Sequence, residues 1–256
     1  MSEDQAVLRE RRGTTLLVTL NRPEARNAIN AALARGIAAA LDELARDDEL
    51  KVGVLTGAGG CFCAGMDLEA FLRGESPHVE GRGFAGIVQD PPRKPLIAAI
   101  EGFALAGGLE VALSCDLIVA ARGAKLGIPE VRRGLVAAGG ALLRLPRRIP
   151  FHLAMELALT GDPIRAQRGA ELGLVNRLVE PGGTVDVALE LGAALAANGP
   201  LALEATKRIL IESAGWEGDA AWERQADIAG PVFASEDARE GATAFAEKRD
   251  PVWKGR

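Results

Sequence analysis

The fold class this sequence predicts is α/β with a helical C-terminal part, and three observations predict it. Strand-like and helix-like stretches alternate from Gly13 to Ala121, whereas from about Phe151 only helical patterns recur. Of the 256 residues, 48% are hydrophobic and 25% charged, enough to bury a sizeable core without disulfides or metals.

In chain order, the β-branched and apolar run Gly13 to Leu20 reads as a strand, and Asn21-Arg22-Pro23 as its turn. A helix is expected over Ala28 to Asp47, because Leu33, Ile37, Leu41 and Leu44 recur at spacings that place them on one stripe. Val52 to Thr56 is a second strand, broken by Gly57-Ala-Gly-Gly60, and residues 67–73 form a short helix with Asp67 as its N-cap. Residues 74–94 mix Gly, Ser, Pro and charge without period, the pattern of an irregular excursion able to act as a mobile lid.

Pro95 to Ile100 reads as a buried strand, Gly107 to Cys115 as a helix and Leu117 to Ala121 as a strand. Such alternation implies βαβ units and a largely parallel sheet. In the second half, Val187, Leu191 and Leu195 and then Ala202, Ala205 and Ile209 mark helices, with Gly182-Gly183 and Asn198-Gly-Pro200 as connectors. The chain divides into an α/β core over 1–195 and a helical C-terminal region over 196–256.

Composition excludes several classes. Thirty Lys and Arg against 35 Asp and Glu give a net charge of −5, which opposes a general phosphate-backbone binder. Only 4% of residues are aromatic and none is Tyr, so stacking platforms for single strands are lacking. Nucleic acid is not an expected partner. Met1 to Gly13 is charged and lacks the apolar core of a signal peptide, and the apolar stretches around 96–121 are interrupted by Glu101, Glu110 and Asp116. The expectation is a cytoplasmic protein without a membrane partner. Its three cysteines, Cys61, Cys63 and Cys115, are an odd number best read as reduced, and with only His78 and His152 beside them no metal site is expected.

The run Gly57-Ala-Gly-Gly-Cys-Phe62 follows a strand, but Phe62 stands where a dinucleotide fingerprint requires a third Gly or Ala. A phosphate loop and a nucleophile elbow are also missing. Three other runs are more informative. In Phe62-Cys-Ala-Gly-Met-Asp67 the small residues Ala64 and Gly65 let a ligand approach backbone amides. In Gly102-Phe-Ala-Leu-Ala-Gly-Gly-Leu-Glu110, Gly107 and Gly108 lie where a strand turns into a helix, and Glu110 follows one turn later among Leu109, Val111, Ala112 and Leu113. A carboxylate in apolar company needs a reason. In Leu126-Gly-Ile-Pro-Glu130 an acid follows a proline at a helix start.

Each run alone has an ordinary structural explanation: a glycine turn with a capping acid, or an acid complementing a helix dipole. Together they describe one site of two backbone amides from separate loops and two carboxylates. Converging amides form an oxyanion hole, and two neighbouring carboxylates separate in pKa into a base and an acid. That combination suits addition of water across an activated double bond. A covalent route through Cys61 or Cys63 is disfavoured, since no His lies nearby in sequence to stabilise a thiolate.

These runs, together with Leu20-Asn-Arg-Pro-Glu-Ala-Arg-Asn27 and Phe245-Ala-Glu-Lys-Arg249, closely resemble the crotonase superfamily in its enoyl-CoA hydratase branch, over most of the chain. The resemblance implies a spiral of βαβ turns forming two sheets and a helical C-terminal part that serves oligomerisation and covers CoA. It also implies homotrimers, often paired into hexamers. It implies that the amides of Ala64 and Gly107 hold the thioester oxygen of an acyl-CoA substrate, that Glu110 activates water for C3 and that Glu130 delivers a proton to C2. It places CoA against the backbone of Ala25 and Arg26, against Gly65, Met66 and Asp67, and against Phe245 and Lys248, often across a subunit boundary. No cofactor is implied beyond the CoA carried by the substrate. Ala106 stands where many relatives have a glycine, while Gly107 and Gly108 remain.

The expected activity is therefore reversible hydration of a 2-enoyl-CoA to a 3-hydroxyacyl-CoA. The alternatives are an enoyl-CoA isomerase, for which one carboxylate often suffices, a hydratase of a specialised acyl-CoA such as crotonobetainyl-CoA, and a non-catalytic CoA-ester binder.

Overall fold

The computed structural model describes residues 6–256. Strand β1 (Val7–Arg12) pairs antiparallel with β2 (Thr15–Leu20). Helix α1 (Ala31–Arg46) then leads to β3 (Val52–Gly57) and the short α2 (Leu68–Leu72). A small hairpin follows, β4 (His78–Val79) with β5 (Gly83–Phe84), and then β6 (Leu96–Ile100), β7 (Phe103–Leu105) and α3 (Gly107–Ser114). After β8 (Leu117–Ala121) and β9 (Lys125–Gly127), a 3-10 turn over Pro129–Arg133 precedes α4 (Ala141–Arg148) and α5 (Phe151–Thr160). Next come β10 (Ile164–Arg165), α6 (Ala166–Glu171), β11 (Arg177–Val179) and α7 (Thr184–Ala196), and last α8 (Pro200–Glu212), α9 (Ala220–Phe233) and α10 (Glu236–Glu247).

The main sheet has the order β1-β2-β3-β6-β8-β11, and every pairing after the first is parallel. A second sheet has the order β10-β9-β7. The central strands are apolar along their whole length because both faces are covered. Alternation sorts them: Leu16, Val18 and Leu20 enter the large core with α1, while Leu17 faces the smaller cluster with Val52, Val54, Ile97 and Ala188 of α7. The stripe Leu33, Ile37, Leu41 and Leu44 is fully buried, each side chain contributing on the order of 2 kcal/mol of transfer free energy.

Most expected elements are present with shifted ends. Helix α1 starts at Ala31 rather than Ala28, because the Asn30 side chain caps it by accepting from the Leu33 amide at 3.0 Å. Asp67 caps α2 as expected, accepting from Ala70 at 3.0 Å. Strand β1 carries no sequence signal: its face is charged, with Arg11 paired to Asp47 and Glu49, so no apolar alternation marks it.

The excursion over 74–94 is the clearest departure from expectation. Its second half is core, with Phe84, Ala85, Ile87 and Val88 buried. Gly86 lies so close to the Ala34 carbonyl that a Cβ there would overlap it, and Arg82 pairs with Asp42 on α1. Docking onto the α1 face, and not any local period, orders this segment.

Candidate functional site

The segment after β3 is threaded between two neighbours. Cys63 bridges to Ala104 of β7, donating to the Phe103 carbonyl at 3.1 Å and accepting from Leu105 at 3.0 Å. On the other side Ile29 bridges to Met66, with Ile29 N donating to Gly65 O at 2.7 Å and Asp67 N to Ile29 O at 2.9 Å. The amide of Ala64 donates to the Arg26 carbonyl at 3.1 Å, and that of Gly65 to the Cys63 sulfur at 3.3 Å. Of the five consecutive amides from Cys63 to Asp67, only that of Met66 makes no hydrogen bond to the described residues.

The Ala64 N–H, expected to face a thioester oxygen, closes the turn against Arg26 instead. The free donor is Met66, two residues on. Parallel bridging explains the shift: Met66 is flanked by the two bonds to Ile29, which leaves its own N–H facing away from that strand. No composition or motif signal marks it; only the partner on each side decides which amide is left over.

The other half of the site is the start of α3. Ala106 precedes the helix at φ +51°, ψ −131°, a conformation suited to glycine, and its carbonyl accepts from both Leu109 and Glu110 at 2.9 and 3.2 Å. That leaves the Gly107 and Gly108 amides as the unpaired first donors of the helix. The two loops touch. A Cβ on Gly65, whose φ is +106°, would come 2.6 Å from Ala106 Cβ and 3.2 Å from Gly107 N; one on Gly107 would come 3.5 Å from Met66 N and 2.5 Å from the Phe84 ring. The free amides of Met66 and Gly107 therefore lie on adjoining backbone, brought together by an absence of side chains.

Glu110, one turn into α3, is 4% exposed. Its carboxylate accepts from Ala141 N at 3.2 Å, and the Gly139 amide also bonds it. Burial pushes its pKa up to about 7, with the Glu130 charge adding to the rise and the Ala141 and Gly139 amides and Arg144 opposing it. Glu130 sits in the 3-10 turn that Pro129 opens. Its Oε2 is buried without a hydrogen-bond partner, and burial raises its pKa as well. An unpartnered buried carboxyl oxygen is costly in a stable fold, which makes Glu130 a candidate functional group.

The remaining expected residues divide. Ala25 and Arg26 form the turn that receives the Ala64 amide, so their backbone adjoins the site loop. Asp67 is engaged structurally: burial alone would raise its pKa, but the Ala70 amide and the Arg22 guanidinium, at 3.0 Å from each, hold it below the usual carboxylate range. Phe245 and Lys248 lie at the end of α10, where the Phe245 ring is 88% exposed and joins no site within one chain. Cys61, Cys63 and Cys115 are free and buried, and burial pushes the thiols of Cys63 and Cys115 up to about 12, which opposes nucleophilic use. Asn27, the last residue of the Leu20–Asn27 run, supports the site loop although no role was expected of it. It is fully buried at φ +55°, accepts from Arg22 N and donates to the Ala58 and Cys61 carbonyls, each at 2.9 Å, fastening the turn to the loop after β3.

Parallel βαβ turns that bring free backbone amides together near two acids define an enzyme-like site, one able to stabilise a developing oxyanion. A profile of the enoyl-CoA hydratase/isomerase family matches residues 10–256. Enoyl-CoA hydratase EchA19 of Mycobacterium tuberculosis is 43% identical, with 96% of each chain covered, and the carnitinyl-CoA dehydratase of Salmonella enteritidis is 40% identical over 96% of this chain and 97% of its own. A crystal structure of an enoyl-CoA hydratase from M. tuberculosis superposes with a TM-score of 0.97 at 60% identity, covering 98% of this chain and all of that one. The chain belongs to the enoyl-CoA hydratase/isomerase family of the crotonase superfamily.

Among the described residues, no group of His, Cys, Asp and Glu is arranged to hold a metal ion, and no helix is long and apolar enough to cross a membrane.

Proposed function

We propose that this protein catalyses the reversible addition of water to a 2-enoyl-CoA, giving a 3-hydroxyacyl-CoA. One observation carries the reading: the buried Glu110 at the start of α3, with its unpaired amides, and the half-buried Glu130 both have raised pKa values, and the Glu130 charge adds to the rise at Glu110. A single acid would suffice to move a proton along an acyl chain, whereas water addition uses a base and an acid together.

The thioester oxygen accepts from the amides of Met66 and Gly107, which stabilise the enolate as charge develops on it. Losing one such donor typically costs about 3 kcal/mol. Glu110, poised to ionise near neutrality, takes a proton from the water that attacks C3. Glu130, whose pKa burial also raises, delivers a proton to C2. The step adds H and OH across the double bond, and the two carboxyl groups exchange protonation before the next turnover. No cofactor is required, because CoA arrives with the substrate.

The backbone at Ala25 and Arg26 and the segment Gly65-Met66-Asp67 supply the CoA side in this reading, with Phe245 and Lys248 reaching the adenine end from a neighbouring copy. The helical region 196–256 then serves assembly into a homotrimer or a dimer of trimers. In support, Trp222, Phe233 and Phe245 are 71%, 82% and 88% exposed on the last two helices, apolar area that a partner subunit would cover. The three unpaired cysteines fit the reducing cytoplasm. The likeness to a carnitinyl-CoA dehydratase favours one variant of the reading, a specialised acyl group hydrated by the same pair.

The test is Glu110→Gln and Glu130→Gln assayed on 2-enoyl-CoA and 3-enoyl-CoA substrates from four to sixteen carbons. Each variant is expected to lose about 100-fold or more of hydration while still binding the CoA ester. Near-normal turnover in either one, or turnover confined to the 3-enoyl substrates, overturns the reading.

A further inference from the structure

Helix α4 begins at the Glu110 carboxylate and carries, one turn on, a cation in an unusual position. Arg144 is half-buried, and no carboxylate forms an ion pair with it among the described residues. Its guanidinium is nonetheless fixed at two points. One nitrogen donates to the Val88 carbonyl at 2.5 Å, and another fills the space that a Cβ on Gly140 would occupy. Gly140 adopts φ +102° at the helix start, between Gly139, which lies against Glu110 Oε2, and Ala141, whose amide binds Glu110 Oε1. The acid and the cation thus adjoin the same three-residue turn, and Arg144 ties α4 to the docked excursion through Val88.

The charges that act on the pair come from α3, α4 and the 3-10 turn. Glu110 is faced by Glu130 from the 3-10 turn and by Arg144 from α4. Arg144 is faced by Arg147 and Arg148 of its own helix and by Cys115 at the end of α3, and among the described residues the only carboxylate whose charge favours its ionised form is Glu110. Desolvating a guanidinium without a paired carboxylate is unfavourable, so its retention calls for a compensating role.

We propose that Arg144 is a positioning residue for the catalytic base: it fixes the 139–141 turn against Glu110 and supplies the through-space positive charge that keeps the ionised carboxylate accessible beside Glu130. The proposal rests on the hydration reading for its catalytic meaning, but its electrostatic content is measurable without turnover. Removing an opposite charge several ångströms away raises a carboxyl pKa by about one unit.

The test compares Arg144→Gln and Arg144→Lys, each with Glu110 intact and with Glu110→Gln. Thermal unfolding midpoints are measured from pH 4 to 9, alongside the pH profile of kcat/KM on a 2-enoyl-CoA. With Arg144 in place, the stability difference between the Glu110→Gln variant and the parent should stop growing near pH 7. With Arg144→Gln that break should move up by about one unit, together with the lower limb of kcat/KM; with Arg144→Lys, which keeps the charge, both should return to about their starting values. A uniform loss of stability with an unmoved break overturns the proposal. If Arg144→Gln does not fold, Arg144→Met, which removes the charge and keeps the apolar stem, takes its place: a break moved up supports the role of charge, and an unmoved one overturns it. Absence of hydration in the parent enzyme would refute the hydration reading and leave the stability comparison intact.

Discussion

Gly139 stands against Glu110 so closely that a Cβ at position 139 would overlap the Glu110 Oε2. Glu110 is therefore seated by a missing side chain, on a loop 29 residues away in sequence, as much as by the Ala141 amide that it accepts from at 3.2 Å.

Gly139→Ala should push the Glu110 carboxylate off its two amides while leaving the sheet untouched. The expected result is a loss of about 100-fold in kcat, the low end of what a positioned acid or base contributes, with a change in KM of less than about threefold. Steady-state kinetics alongside a circular dichroism melt would check it; a variant with parental kcat would show that Glu110 is not seated there in the working enzyme.

Glu110 also links stability to pH. Its pKa is about 7 in the fold against 4.5 for an ordinary glutamate, so the native state holds a proton that the unfolded chain has released between those values. The stabilising contribution is complete below pH 4.5 and is lost as pH rises through 7, which amounts to roughly 3 kcal/mol. Glu110→Gln, which never ionises, should match the parent in denaturant titrations near pH 4 and exceed its stability progressively up to pH 7, with a constant margin beyond. A margin that does not vary with pH would contradict the raised pKa.

Gly107→Ala would drive a methyl into the Phe84 ring, 2.5 Å from the built Cβ, and turn the α3 amide away from that of Met66. Activity should fall by about 100-fold or more, as on loss of one oxyanion donor. A second change, Phe84→Leu, removes the ring and should recover at least about tenfold of that loss. Kinetics of the double variant no better than those of the single one would mean that the damage arises from the backbone of Gly107 itself.

Much of the fold was legible because the interior strands are apolar on both faces and α1 keeps its stripe; such patterns require no knowledge of the partner. Strand β1 was hidden because an edge strand with Arg9 and Arg11 facing acids of the α1 region lacks the alternation that announces a strand. The docked residues 83–88 were hidden for a related reason: what orders them is the surface of α1, far away in sequence.

For the site, sequence by itself determined only which residues are candidates for chemistry: Glu110 and Glu130, an acid in apolar company and an acid behind a proline, and glycines at Gly65, Gly107 and Gly108 where backbones approach. Tertiary structure alone decided which amide is free. Whether Ala64 or Met66 can meet an oxygen depends on whether Arg26 and Ile29 have already taken the neighbouring N–H groups, and hydrogen-bond partners of a loop are fixed by segments that no local pattern names. The same holds for the ionisation of the two acids, since burial and a neighbouring charge are properties of the assembled interior and not of a residue's place in the chain.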